Sequence, residues 1–252
     1  MAEKITSRQN KTVKYIRELA KDRALRREMK EFVCDGEKLF SEAIRAEAEI
    51  GLVLCTEAFS GKIPGELDKK TYIVNEDILE SVTTLKGAQN VIFTCRMKSI
   101  APEKLEKVIM LDRLQDTGNI GTIIRTADAF GVNAVFEDGC ADIYNPKTIR
   151  SAMGSVFRVP VVSCDFTSEI PKLRMSGIPV FASELYGDVK TVDELDFARL
   201  AVVIGNEGSG VRREVSQLCD GSVIIPMQGK AESLNAAVAA AVFMFKMSQN
   251  NG

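Results

Sequence analysis

From residue 108 to the end of the chain, short uninterrupted apolar runs alternate with segments of helical spacing, and this alternation constrains the fold more than anything else. Val108-Ile109-Met110-Leu111, Ala134-Val135-Phe136, Ala201-Val202-Val203-Ile204 and Val223-Ile224-Ile225 are continuous rather than alternating in polarity, as is the stretch 179–182. Strands of that kind are covered on both faces, the condition of a parallel sheet between helices. Helical patterns are predicted over 120–130, 146–153, 211–218 and 234–247. The expected fold is therefore α/β, with a C-terminal, mostly parallel sheet flanked by helices.

Residues 1–97 read as a smaller α/β domain. Basic helical sequence over 8–30 leads into a strand at Phe32-Val33-Cys34, followed by a helix over 37–48. Further strands are expected at 52–55, 72–74 and 91–93, with a helix over 76–82. Residues 98–107, with Pro102 among charged residues, are taken as the linker, and 108–252 as the second domain.

The chain contains no histidine. That excludes Ser-His-Asp and Cys-His catalysis and imidazole metal sites. The six cysteines are dispersed without a C-x-x-C pair, which fits free thiols in a reducing cytosol and neither a zinc site nor a disulfide framework. No apolar run approaches the roughly 18 residues of a membrane span, and the polar N-terminus shows no secretory signal. The expected setting is cytoplasmic, with no membrane and no metal.

Net charge is −2, but residues 1–30 hold ten basic against four acidic residues. That segment is +6 and the remainder −8. Two readings fit it: an arm that contacts RNA phosphates, or a solvated helical face.

Three glycine-punctuated junctions follow strands of the second domain, at the edge where open parallel sheets bind ligands. The first is Asp116-Thr117-Gly118-Asn119-Ile120-Gly121, continuing to Arg125. Asn119 suits an N-cap, and Gly121 and Arg125 share a helix face. This is either an anion site for an RNA phosphate or a capped helix whose arginine pairs with an acid. The second is Gly205-Asn206-Glu207-Gly208-Ser209-Gly210. It lacks the Lys-Ser/Thr of a P-loop and the third glycine of a dinucleotide fingerprint. Glu207 would repel phosphate, so the loop is either a contact for a neutral or cationic ligand or a tight turn before a capped helix. The third runs from Ile225-Pro226-Met227 to Ser233-Leu234-Asn235. Ser233 is the expected N-cap, and Asn235 is a polar first-turn residue suited to a ligand. Leu234, Val238, Ala241 and Phe245 are expected in the core with Met244 and Met247, and the small Ala236, Ala237, Ala239 and Ala240 at a subunit interface.

Together these junctions resemble the SpoU/TrmH branch of the SPOUT RNA methyltransferases, which carry Asn-x-Gly-x-x-x-Arg, Gly-Asn-Glu-x-x-Gly and Ile-Pro-Met…Ser-Leu-Asn in this order. Here they stand as Asn119-x-Gly121-x-x-x-Arg125, Gly205-Asn206-Glu207-x-x-Gly210, and Ile225-Pro226-Met227 with Ser233-Leu234-Asn235. Thr117 replaces the usual proline. The match covers roughly 108–247, while Phe32-Val33-Cys34-Asp35-Gly36-Glu37 more loosely resembles the RNA substrate-binding domain that precedes such catalytic domains.

The resemblance implies a deep C-terminal trefoil knot, a homodimer, and S-adenosyl-L-methionine as cofactor. It implies 2′-O-methylation of RNA, with ribosomal RNA favoured over transfer RNA; a non-catalytic RNA-binding protein on the same fold is the alternative. Cofactor contacts are implied at Ala182, Ser183, Glu184, Gly205, Asn206, Gly210, Ile225, Met227, Ser233 and Leu234. Catalytic roles are implied for Arg125, Asn119, Glu207, Ser233 and Asn235, with Arg125 either the base or a phosphate clamp.

Overall fold

The computed structural model describes residues 2–83, 89–98, 100–185, 189–230 and 232–249. Ala231 of the third junction and Ser99 of the expected linker lie outside them. The chain divides into two compact units, one of residues 1–98 with 142–157, the other of 99–141 with 158–252.

The first unit opens with β1 (Glu3–Ile5), α1 (Lys11–Lys21) and α2 (Arg23–Met29), then β2 (Glu31–Asp35), α3 (Glu37–Arg45) and β3 (Ile50–Cys55). A short α4 (Glu57–Ser60), β4 (Thr71–Val74), α5 (Glu76–Val82) and β5 (Val91–Arg96) follow. The sheet order is β1-β4-β3-β5-β2, mixed in direction. Sequence periodicity missed the three-residue β1.

The basic stretch forms two helices rather than one, because Asp22 is extended (ψ 114°). Its carboxylate caps α2 by accepting from the Ala24 and Leu25 amides at 2.7 and 3.2 Å. Arg26 is only 2% exposed. It donates to Asp142 at 2.6 and 2.9 Å and to the Leu19 and Ala20 carbonyls at 2.7 and 3.1 Å. A guanidinium matched so completely can be buried, so Arg26 serves the fold. Arg8 pairs with Asp77, and Arg17 donates to Ser81.

The second unit runs β6 (Lys107–Asp112), α6 (Thr117–Phe130) and β7 (Ala134–Asp138). The chain then gives α7 (Pro146–Ala152) to the first unit, where Tyr144 and Phe157 pack on Phe32 with ring centroids 4.8 and 6.2 Å away. The second unit resumes with β8 (Val161–Ser163), α8 (Phe166–Met175), β9 (Val180–Ala182) and β10 (Val189–Thr191). It closes with β11 (Leu200–Ile204), the four-residue α9 (Arg213–Ser216), β12 (Gly221–Ile224) and α10 (Ala236–Gln249). All pairings are parallel, in the order β10-β12-β9-β11-β6-β7-β8.

The parallel sheet is buried on both sides, as continuous apolar runs require. Val108, Met110, Val203 and Phe136 share one core with Phe166, Ile170 and Leu173 of α8. Alternation along a strand turns Ile109, Leu111 and Val202 to the other face, where they are also buried. Helix α8 lay hidden in the sequence because Pro171 sits inside it. Asp165 caps it, and Phe166, Ile170 and Leu173 form its buried stripe.

Several local expectations are corrected. The helix expected over 211–218 shrinks to α9, since Arg212 is extended (ψ 140°). Helix α6 begins at Thr117 and its cap is Asp116, whose carboxylate accepts from the Asn119 amide at 2.7 Å. Helix α10 begins at Ala236, and Asn235, not Ser233, takes the capping role. The Asn235 Oδ1 accepts from the Ala237 and Val238 amides at 2.9 and 3.3 Å. The buried face of α10 is Ala236, Ala237, Ala240, Phe243, Met244 and Met247. Val238 (50% exposed) and Phe245 (48%) lie outside the core, as does Leu234. The helix is apolar almost all round, so periodicity could not choose its buried face.

Candidate active site

The three junctions meet at the edge of the parallel sheet where its strands end. The Asn235 Nδ2 donates to the Asn119 Oδ1 at 3.1 Å, and the Asn119 Nδ2 donates to the Glu207 Oε1 at 3.0 Å. The Gln115 amide approaches Glu207 Oε2 at 3.5 Å. Segments 88 and 116 residues apart in sequence are thereby tied into one polar chain. Burial pushes the Glu207 carboxyl up. Hydrogen bonds from the Asn119 side chain and from the backbone N–H groups of Glu207, Gln115 and Asp116 outweigh it and hold the group below its ordinary range. Glu207 is therefore an anionic acceptor at neutral pH. It orients the Asn119 amide, which in turn orients Asn235.

Asn206 builds the loop that presents Glu207. Its Oδ1 accepts from the Gly208 and Ser209 amides at 3.0 and 3.2 Å, and its Nδ2 donates to the Arg113 carbonyl at 2.8 Å. Its backbone exchanges two hydrogen bonds with Gly210, at 3.0 and 2.9 Å. Gly210 has φ +70°, which a side chain would strain. Gly205 is required by space: a Cβ there would sit 2.2 Å from the Gly210 carbonyl carbon and 2.3 Å from the Val211 nitrogen. The loop is both a tight turn and a carrier of a charged group.

Arg125 lies on the exposed side of α6, and among the described residues no acid pairs with it. The alternative of a capped helix whose arginine is neutralised is thus set aside. Ser233 is exposed, and its hydroxyl bonds to no other described residue. The fold links Asn119, Glu207 and Asn235 directly; Arg125 and Ser233 stand apart from that chain.

The residues implied as cofactor contacts gather on adjacent strand ends, since β12, β9 and β11 are neighbours. Ala182 ends β9, opposite Val203 and Ser222. The Ser183 amide is spent on the Val203 carbonyl at 2.9 Å. The Glu184 carboxylate accepts from the Ser216 and Ser222 hydroxyls, which ties the loop after β9 to β12. Among the described residues, the backbone groups of Ile225, Met227 and Leu234 have no hydrogen-bond partner. Met227, Leu234 and Leu185 are exposed. Unpaired amides beside exposed apolar side chains fit an adenine ring, whose edge hydrogen-bonds and whose faces are apolar.

An ionic cluster fixes this edge from below. Arg212 donates to Asp112 at 2.6 Å and to Asp138 at 2.5 Å, and its amide donates to Asp112 at 2.7 Å. Asp112 is fully buried at the end of β6. Asp138, ending β7, also accepts from the Phe166 amide at 3.0 Å. Burial pulls the Arg212 guanidinium down, but the hydrogen bonds and charges of both acids win and raise it. Sequence reasoning missed this trio. The available signal was an acid at the end of each of two apolar runs and an arginine two residues past the glycine loop.

A family model described as the SpoU rRNA Methylase family matches residues 106–245. The chain belongs to that family. A second model, the MRM3-like substrate binding domain, matches residues 10–92 of this SpoU methylase. The chain is similar to the 23S rRNA (guanosine(2553)-2′-O)-methyltransferase RlmP of Bacillus subtilis, 35% identical over 86% of this chain and 88% of that one. Among solved structures it resembles an AdoMet-bound rRNA methyltransferase from Sinorhizobium meliloti, with a TM-score of 0.90 and 28% identity over 100% and 99% of the two chains. It also resembles the SpoU methyltransferase AviRb from Streptomyces viridochromogenes in complex with AdoMet, with a TM-score of 0.83 and 27% identity over 96% and 98%. Among the described residues of the chain, no group of acids and cysteines is placed to hold a metal ion, and no helix is long and apolar enough to cross a membrane.

Proposed function

We propose that this SpoU methylase transfers a methyl group from S-adenosylmethionine to a ribose 2′-hydroxyl of ribosomal RNA. The observation that carries the reading is the Asn235–Asn119–Glu207 chain, which joins the three motif-bearing junctions at one edge of the sheet.

The cofactor, when bound, supplies an electrophilic sulfonium methyl. Backbone groups at Ile225, Met227 and Leu234, with Gly205 and the Ala182–Glu184 turn, hold it by hydrogen bonds and apolar cover. The bridge between Asn206 and Gly210 keeps that wall rigid. Glu207 stays ionised and fixes the Asn119 and Asn235 amides, so that these donors and acceptors are set before a ribose arrives. Alignment of the acceptor oxygen with the methyl group supplies much of the acceleration, since orientation alone is worth several kcal/mol. The 2′-hydroxyl is also the group that distinguishes RNA from DNA.

Arg125 is the remaining cation of the first junction. A guanidinium has a pKa above about 12 and seldom yields its proton. Its unpaired, exposed position suits a phosphate clamp beside the hydroxyl, with the proton passing to solvent or to a phosphate. Ser233, equally free, is available to the ribose or the cofactor.

Residues 1–97 act in this reading as the RNA substrate-binding domain. Lys11, Lys14, Lys21, Arg23, Arg27 and Lys30, all exposed, are left without ion pairs among the described residues. The protein works in the cytoplasm as a homodimer. The exposed Val238 and Phe245, seven residues apart on α10, support that assembly. A C-terminal trefoil knot belongs to the same reading, supported by β12 inserting between β10 and β9 while α10 returns over β11 and β6.

Isothermal titration of the purified protein with S-adenosylmethionine tests the proposal. Saturable one-site binding per chain is expected in the wild type and in Arg125→Ala; no heat of binding in either would overturn it.

A further inference from the structure

The cations of the second unit divide by partner. Lys104, Arg158, Lys172, Arg174 and Lys246 each face a carboxylate, and Arg212 faces three. Arg199 donates to the Ser176 carbonyl, and Lys190 lies over the Phe181 ring. Among the described residues, the side chains of Arg113, Arg125, Arg213 and Lys230 have no partner. Arg113 follows β6 directly, and Arg213 and Lys230 lie in the segments after β11 and β12 whose Glu207 and Asn235 join Asn119. Charge left unneutralised beside the joined junctions is the footprint of an anionic ligand.

Arg113 is the most constrained of the four. It follows β6 directly and adopts φ +57°, uncommon for a residue with a Cβ. Three backbone hydrogen bonds hold it there. Its amide donates to the Asp138 carbonyl at 2.9 Å, and its carbonyl accepts from Asn206 Nδ2 at 2.8 Å and Gln115 Nε2 at 3.0 Å. Asn206 and Gln115 are the neighbours of the Glu207 and Asn119 segments, so the strained backbone is locked to the site itself. Gly139 clears a path for the side chain: a Cβ there would lie 3.2 Å from the Arg113 Cγ, and its own φ is +65°. A left-handed arginine, a facing glycine and three hydrogen bonds together present an exposed guanidinium that pairs with none of the described residues. Strained backbone maintained by its surroundings is typical of functional positions.

We propose that Arg113 is a substrate-binding residue whose guanidinium takes a backbone phosphate of the RNA next to the target ribose. A planar guanidinium matches two phosphate oxygens at once. This rests on the RNA methyltransferase reading and adds to it a contact outside the three motifs. Because the phosphate is bound equally before and during transfer, Arg113 acts on RNA affinity and not on turnover.

The test uses the full-length protein, unmodified 23S ribosomal RNA transcribed in vitro, and the variants Arg113→Gln and Arg113→Lys. RNA affinity is read by filter retention over a salt series, and methyl transfer by steady-state kinetics. Arg113→Gln is expected to weaken RNA binding and raise KM about tenfold, with kcat within about twofold of wild type. Its plot of log affinity against log salt should be shallower by about 0.7–0.9, one phosphate contact. Arg113→Lys should restore most of both. Unchanged RNA affinity and slope in Arg113→Gln would overturn the proposal. So would a fall in kcat that lysine does not rescue, which would assign Arg113 to holding the Asn206 turn. Failure of the wild type to bind S-adenosylmethionine would instead strike the enzymatic reading, and the filter measurement would still decide whether Arg113 meets RNA.

Discussion

Replacing Gly205 by alanine should damage both stability and activity, by an amount the loop geometry sets. The added Cβ would lie 2.2, 2.3 and 2.6 Å from the Gly210 carbon, the Val211 nitrogen and the Gly210 oxygen, all backbone, whereas ordinary contact begins at 3.4 Å. The opposing strand of the loop must therefore retreat by more than an ångström. That breaks the two Asn206–Gly210 hydrogen bonds, worth about 1 kcal/mol each. Strain from inserting a methyl group into a packed site adds roughly 1–3 kcal/mol. A loss of about 4 kcal/mol corresponds to a fall in Tm on the order of 10 °C for a chain of this size. The displaced loop also carries Glu207 away from Asn119, so methyl transfer should drop at least tenfold at temperatures where the variant is folded. Gly229→Ala is the matched control, since nothing lies within 4 Å of its added methyl group. Thermal unfolding followed by circular dichroism, with methyl transfer measured in parallel, reads both effects. A Gly205→Ala protein that melts within 2 °C of wild type and turns over normally would refute the tight-loop argument.

Other perturbations test separate links. Arg125→Ala should abolish methyl transfer while leaving S-adenosylmethionine affinity within about twofold, checked by kinetics and calorimetry. Arg212→Met should destabilise the second unit by roughly 3–5 kcal/mol, because it strands the fully buried Asp112 without its partner; denaturant unfolding measures this. The folded-state carboxyl of Glu207 is held below its ordinary range. Its contribution is present above the unfolded value of about 4.3 and is lost as pH falls through the lower folded value. The stability difference between wild type and Glu207→Gln should thus be flat above about pH 5 and shrink in stronger acid. Burial pushes the thiol of Cys55 up to about 11 and those of Cys140, Cys164 and Cys219 up to about 12. These thiols should react slowly with a disulfide reagent at pH 8 in the native protein and all at once in denaturant.

The parts of this molecule that were legible in sequence are those governed by local pattern. Val108–Leu111 and Ala201–Ile204 read as doubly covered strands because their apolar residues are consecutive, and both lie at the centre of the parallel sheet. The Asn119, Glu207 and Asn235 motifs marked the candidate site because polar residues at glycine-rich strand ends have no core to serve. What stayed hidden depended on tertiary choice. Which face of α10 is buried could not be read, since Val238 and Phe243 are equally apolar and only tertiary packing, with Phe243 stacked on Phe197, separates them. Asn119 looked like a helix cap, yet the cap fell to Asp116, three residues earlier, and freed the Asn119 side chain for Glu207 and Asn235. Arg26 was indistinguishable from its basic neighbours until Asp142, 116 residues away, claimed it. The Arg212–Asp112–Asp138 cluster likewise spans about a hundred residues and leaves no local spacing to read.

Delivery of a methyl group by the joined junctions to a ribose hydroxyl has a direct chemical readout. Unmodified 23S ribosomal RNA is incubated with the purified protein and S-adenosylmethionine labelled in its methyl group, then digested completely with alkali. Alkaline cleavage needs a free 2′-hydroxyl, so ribose methylation protects one phosphodiester bond and leaves the label in a dinucleotide, whereas base methylation leaves it in mononucleotides. Label in a single dinucleotide species, absent with Arg125→Ala, is the expected result. Label recovered in mononucleotides, or no incorporation while S-adenosylmethionine binds normally, would contradict it.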